Sequence, residues 1–467
     1  MSALSLPTRR LEPRAALLLA GLLVTLVLEG VAASSSLMLA APLLAVIVVA
    51  VAIEIPLVPT IGGVLILRIL TDAKLSSPGI RSTGSLNLSA AIALMFVLIA
   101  VGLLIRRRGG AGAALACALW LAIWTAVAVK YFGAGTATVR EGVREVSIVA
   151  LGLLVYNSRG ALNLGVTSRI LQLAGAISAL IALQQFATHS GILINGQIRS
   201  NGTFVHPDGA AMFFAIAAIA SLWRYLDRGR RKLDLAFTVL FGGATIATFS
   251  LAGLGALLAM LIAYGAMRPG SARLRLRAFG LAALIVVAFL ATPLGSERLS
   301  NETSTNLNGS RRAAENSSLA WRLYKWGALI EEWEEAPLMG QGLGATVTKE
   351  ETIGSTTEEK VPHNEYLRYL VETGIVGLAT LLLGLFLLLR ALAARRPPAG
   401  TPPSGEPGRD AAGALGLAVA IGCMVDALAD NTFLYTTTGY AAVMIIAAVL
   451  AIPAARRLPA LLRLRTV

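Results

Sequence analysis

His363 is one of three histidines in the chain and stands in PHNEYLRYLVETGIVG, Pro362 to Gly377, at the lip of a long apolar run. Histidine is the side chain whose ordinary pKa lies nearest neutrality, so one held beside a bilayer is suited to accept and return a proton. A solvent-facing histidine without a task is the alternative that the residue alone leaves open. Pro362 reads as the start of a helix, with Asn364 and Glu365 following and Leu367, Leu370 and Val371 as its buried stripe.

Cations gather in three further places. QIRSNGTFVHPDG, 197–209, sets Arg199 near Gly202, with His206 and Asp208 following just before another apolar run. A guanidinium offers the fixed fork of donors that a diphosphate needs, although an arginine at a membrane edge also serves as a plain interfacial anchor. Arg140 and Arg144 precede the run from Val146, and Arg322 and Lys325 share a helix face by their spacing of three. DxD pairs, HxxxH and CxxC spacings and a GxSxG elbow are all missing. GQGLG lacks the Lys-Ser/Thr of a P-loop. Cys117 and Cys423 fall inside apolar runs and read as buried thiols. No metal and no cofactor is expected.

The elements that must position these residues follow from composition. Of 467 residues, 56% are apolar and 14% charged, and the mean hydropathy is +0.72. That exceeds what a water-soluble core requires and predicts an all-α, polytopic membrane bundle of about 12 transmembrane helices. Runs fall at roughly 15–33, 37–57, 86–105, 110–129, 146–157, 168–187, 209–226, 233–249, 251–267, 278–293, 373–391, 411–428 and 437–455. VLILRILTD, 64–72, is apolar but short, and reads as a tilted span or an interfacial helix. The first run, after Arg9, Arg10 and Arg14, reads as a retained helix rather than a cleaved leader.

The formal charge of +14 comes from arginine clusters between runs, such as Arg106 to Arg108, Arg228 to Lys232 and Arg273 to Arg277. Such clusters mark cytoplasmic loops, not nucleic-acid binding. Lys130 to Glu145, His189 to Asp208 and Ser296 to Glu372 then face the other side together. The chain divides into an N-terminal bundle, 1–293, a large external loop, 294–372, and C-terminal helices, 373–467. Residues 294–372 carry thirteen Glu against eight Lys plus Arg. The loop's first part, SNETSTNLNGSRRAAENSS, is polar and reads as mobile. Next, Leu319, Leu323, Trp326, Ile330 and Trp333 predict an amphipathic helix ended by Pro337. Such a helix packs on the bundle or the headgroups, or grips a substrate. RRPPAGTPPSGEPGRD, 395–410, reads as a linker.

Together these pieces resemble the O-antigen ligase and O-antigen polymerase superfamily of bacterial envelope enzymes. The resemblance rests on Arg199, Gly202, Thr203 and Phe204; on Arg322, Trp326, Pro337, Gly340, Gly342 and Gly344; and on His363, Asn364, Tyr366, Leu367, Glu372, Gly374 and Gly377. It covers roughly residues 195–390. It implies a metal-independent, inverting glycan transfer on the periplasmic face of the bacterial inner membrane. The donor would be a glycan on undecaprenyl diphosphate, and the acceptor a sugar hydroxyl of lipid A core or of a second lipid-linked glycan. His363 would be the base, and Arg199, Arg322, Lys325, Arg140, Arg144, Asn364 and Tyr366 would bind diphosphate or glycan. Two positions depart from the pattern: Leu251 stands where many members have Arg, and Asp208 where relatives often have Asn. Ligase is the leading reading, polymerase the alternative, and a lipid-linked glycan transporter the competing class.

Overall fold

The computed structural model describes residues 57–75, 111–132, 136–194, 197–269, 272–304, 318–348, 350–353, 356–359, 361–397 and 408–454, with single positions at 93, 96, 97, 405 and 406. The runs at 15–33 and 37–56, most of 86–105, and the linker at 398–404 lie outside the described residues. In chain order the elements are α1 Leu57–Leu75, α2 Ala111–Phe132, α3 Thr136–Asn157, α4 Leu164–Ala187, a hairpin of β1 Ile192–Ile194 and β2 Gln197–Arg199, and α5 Pro207–Asp227. Then come α6 Lys232–Ala247, α7 Leu251–Met267, α8 Ala272–Leu290, α9 Pro293–Ser304, α10 Ser318–Glu334 and α11 Ala345–Thr348. A second hairpin of β3 Glu350–Ile353 and β4 Thr356–Glu359 precedes α12 Glu365–Ala393, α13 Arg409–Asp426 and α14 Thr436–Leu450.

The described residues are therefore mostly helical, and the apolar runs within them are helices. Windows in four of these helices are long and apolar enough to cross a membrane: Ala114–Tyr131, Leu164–Ala187, Pro207–Asp227 and Glu365–Ala393. α1 contains the short apolar run 64–72. It buries Ile61, Leu65 and Ile69 and packs on α4. α9, Pro293–Ser304, takes in the first five residues of the polar stretch; residues 305–317 lie outside the described residues.

α5 is the central column. Every residue from Ala210 to Ala220 is at most 3% exposed, because α4, α6, α7, α13 and α14 surround it. A helix apolar on all sides is stable only where neighbours or lipid cover it fully. The outer helices show the complement: Leu115, Leu119 and Ile123 of α2 and Leu383, Phe386 and Leu387 of α12 are exposed. In water such a belt would be an aggregation surface; in lipid it is solvated.

The glycines of PLMGQGLG and ETGIVG build one joint. Gly374 takes φ 64°, ψ −169° inside α12 and interrupts its hydrogen bonding. The loop supplies the missing partners: Gln341 N donates to Val371 O at 2.9 Å and Gly342 N to Glu372 O at 2.8 Å. Ile375 N donates back to Pro337 O at 2.9 Å. Trp124 of α2 closes the joint, its Nε1 reaching Met339 O and Thr373 O, both at 3.1 Å. A Cβ on Gly374 would lie 2.3 Å from Leu338 O, and one on Gly342 would lie 2.2 Å from the Ala128 backbone. Gly374→Ala is thus expected to destabilise the protein by more than the about 1–3 kcal/mol of backbone strain alone. Thermal unfolding in detergent measures this, and an unchanged midpoint would contradict the joint.

Beside this joint lies a buried charge cluster. Arg368 is fully buried and forks onto Glu365 with two bonds of 2.9 Å. Its other contacts are Glu372 at 3.3 Å, Glu141 at 3.4 Å and Glu145 at 3.6 Å. Arg144 pairs with Glu141, and Glu372 Oε1 accepts from Thr346 Oγ1 at 2.6 Å. The buried stripe at the start of α12 is therefore Glu365, Arg368, Tyr369, Val371 and Glu372, while Leu367 and Leu370 are only half-buried. Ion pairing with α3, not apolar packing, fixes this turn.

Candidate functional site

His363 sits at the entrance to α12 in a left-handed backbone conformation, φ 47°. For a residue with a Cβ that conformation is uncommon and persists where neighbours hold it. Trp326 Nε1 donates to Pro362 O at 2.7 Å on one side. On the other, Asn364 caps α12, its Oδ1 accepting from Leu367 N at 3.0 Å. Glu365 N donates to Ala427 O at 2.8 Å and Tyr366 Oη to Met424 O at 3.2 Å, which docks the turn on the end of α13. Asn364 and Tyr366 thus hold the turn in place.

This docking brings His363 Nδ1 to 2.9 Å from Asp430 Oδ1. The His363 side chain is 21% exposed and that of Asp430 0%. A carboxylate at that distance makes Nδ1 the donor, leaving the lone pair on Nε2. Asp430 is itself aligned, its Oδ1 also accepting from Asn431 N at 2.8 Å.

α10 contributes aromatic and cationic groups. The Trp321 ring meets His363 edge-on with centroids 5.2 Å apart, and Lys325 Nζ lies 4.0 Å over Trp321. Arg322 holds its Nε buried without a hydrogen-bond partner among the described residues. The face α10 buries is Ala320, Lys325 and Leu329, whereas Ile330 is 42% exposed. The helix is thus rotated from the expected apolar stripe, and Lys325 points inward.

On the other flank stand His206, Asp208 and Tyr435. The His206 ring is 6.2 Å from that of His363 and stacks on Tyr435 at 5.9 Å. Its Nδ1 is 3.2 Å from Tyr435 Oη and 3.3 Å from Asp208 Oδ2. Burial, then the carboxylates of Asp430, Asp208 and Asp426, hold the Tyr435 phenol well above its ordinary pKa, so it stays protonated.

The hairpin β1–β2 delivers Arg199 to the same place. It is 2% exposed, forms an ion pair with Asp208, and donates from Nε to Thr248 O at 3.0 Å. Two edges of its guanidinium are committed to the protein, so it reaches the histidine region through Asp208. Asp208, His363 and Asp430 each bring a ligand-type atom within 4.8 Å of the others. Arg199 pairs with Asp208, and His363 Nδ1 meets Asp430 Oδ1. Leu251 opens α7, whose cap is Ser250, accepting from Gly253 N at 3.1 Å. It adds no cation beside Thr248. Arg144 lies in the buried cluster, paired to Glu141, and Arg140 is a residue of α3.

The residues that sequence reasoning did not single out are Asp430, Trp321 and Tyr435. Asp430 lies 67 positions from His363 in a short stretch between two apolar runs, and only its carboxylate beside a membrane gave a signal. Next to it, Asp430 Oδ2 and both side-chain polar atoms of Asn431 are buried without partners among the described residues. Groups of that kind are ordinarily met by water or by a ligand.

Residues 236–382 match the family model described as O-antigen ligase. The matched segment runs from α6 through the Gly374 joint and holds Arg322, Lys325 and His363, while Arg199 and Asp430 lie outside it. No curated protein matches the chain. The match supports the O-antigen ligase superfamily, membrane glycosyltransferase-like enzymes that act in general on lipid-linked glycans.

Proposed function

We propose, with the O-antigen ligase superfamily as premise, that the protein moves a glycan from undecaprenyl diphosphate to a sugar hydroxyl of lipid A core. The observation that carries this is the His363–Asp430 pair at 2.9 Å, one member fully buried and the other one-fifth exposed. In the proposed step the acceptor oxygen attacks the anomeric carbon of the donor as its proton passes to His363 Nε2. The bond from that carbon to the diphosphate oxygen breaks, and the electron pair leaves with undecaprenyl diphosphate. Direct displacement inverts the anomeric centre. Asp430 keeps the proton on Nδ1 and stabilises the imidazolium as it forms.

Arg322 and Lys325 of α10 hold the diphosphate and offset the charge that develops on it, without a metal ion. Arg199 acts on the same charge at longer range while keeping Asp208 in place. The bundle has about 12 crossings, with α10 and the His363 turn on the periplasmic face of the inner membrane. The lipid tail enters along the exposed apolar helices. Polymerase chemistry differs only in the acceptor, a second lipid-linked glycan.

Asp430→Asn tests the pair. The amide preserves shape but removes the charge that favours the imidazolium, so turnover should fall by about 10²-fold or more. Donor binding should stay intact. Measured turnover equal to the unsubstituted protein would remove Asp430 from the mechanism.

A further inference from the structure

At the opposite end of α5 from Asp208, 21 residues or about 30 Å away, the bundle opens a cavity. Its volume is about 360 Å³, within the range of small-ligand clefts of about 300–1,000 Å³. Arg159, Arg228, Arg409 and Glu406 line it together with Trp223 and Ile452.

The charges here do not balance. Asp234 is taken by Arg224 at 2.9 Å and Arg169 at 3.3 Å, and Arg409 by Glu406 at 2.7 Å. Among the described residues no carboxylate pairs directly with Arg159 or Arg228, Asp234 acting on Arg228 only at longer range, and both arginines are exposed at the cavity. Arg228 is also set in an unusual place. It lines the cavity beside Gly165 at the start of α4. A cation laid against the positive end of a helix is unfavourable unless an anion joins it. Burial, then Arg224 and Arg231, push that guanidinium below its ordinary pKa.

The cavity is also built rather than incidental. Trp223 is 2% exposed and donates from Nε1 to Gly408 O at 3.1 Å, which pins the rim loop to α5. Ala448, Ala451 and Ile452 of the α14 end form an apolar wall beside the arginines. Two guanidiniums above an apolar wall, at a helix-bundle end among arginine clusters, match a phosphate group carried on an apolar body.

We propose that this cavity binds a phosphate-bearing group, with the headgroup of an anionic phospholipid as its source. Arg159 and Arg228 grip the phosphate oxygens, and the apolar wall takes the glycerol and first methylenes. The site is independent of the His363 chemistry.

The test is native mass spectrometry of the full chain in detergent, offered equal phosphatidylglycerol and phosphatidylcholine. Phosphatidylglycerol should be retained in preference. Arg159→Gln and Arg228→Gln should each lower that retention at least about fivefold. Arg230→Gln, outside the cavity, should leave retention unchanged. Competition by millimolar glycerol phosphate would make the source a soluble phosphate. Equal retention of both lipids, or equal loss with Arg230→Gln, would overturn the site.

Discussion

A His363→Ala protein is expected to fold, to insert and to bind donor, and to transfer glycan about 10²- to 10⁴-fold more slowly. Removal of the imidazole leaves the acceptor hydroxyl without a base, while the groups that hold the diphosphate stay in place. The loss should fall on turnover rather than on apparent donor affinity. The backbone at 363 adopts φ 47°, so alanine adds some local strain; His363→Asn, which tolerates that conformation better, separates strain from chemistry. Both variants should be equally slow. Native-rate transfer by either one, measured as product formed per minute in proteoliposomes, would remove His363 from the reaction.

The second large effect is on stability. Arg368→Ala takes away the guanidinium that faces Glu365, Glu372, Glu141 and Glu145 at 2.9–3.6 Å and leaves four carboxylates in a buried site with Arg144, paired to Glu141, as the cation beside them. Breaking a buried pair in this way costs about 3–5 kcal/mol, because the remaining charge is uncompensated. The protein should express poorly or unfold early. Combining Arg368→Met with Glu365→Gln should recover part of the loss, since fewer charges are stranded. A melting temperature unchanged by Arg368→Ala would mean that the cluster contributes nothing to the joint between α3 and α12.

The sequence read well where one physical signal dominates. Apolar runs of near-membrane length became helices from α2 onward, whereas the helix expected from Pro362 starts only at Glu365, because Asn364 is the cap and His363 stands before the first turn in a left-handed conformation. The charged stripe of α12 was harder to see. Glu365, Arg368 and Glu372 recur at spacings of three and four, which marks one face, but a sequence entering a membrane invites an apolar reading of that face. Lys325 misled in the same way, since its cation over Trp321 lets it turn inward. Asp430 and the Arg199–Asp208 pair were invisible for a different reason. Each depends on a tertiary meeting or a choice of rotamer that hydropathy and spacing do not encode. The Asp208 departure carried a trace of it, because a carboxylate nine residues from Arg199 can take the guanidinium that a neutral Asn would leave for a ligand.

The most direct measurement is glycan transfer by the purified full chain in reconstituted membranes. Undecaprenyl-diphosphate glycan and lipid A core are offered together, with chelator present and His363→Ala alongside. Glycan on lipid A that persists with chelator and vanishes in the variant is the predicted result. Lengthened lipid-linked chains in its place would keep the chemistry and change the acceptor to that of a polymerase. No product on either acceptor, with lipid-linked glycan merely moved across the bilayer, would contradict the account and make the protein a transporter.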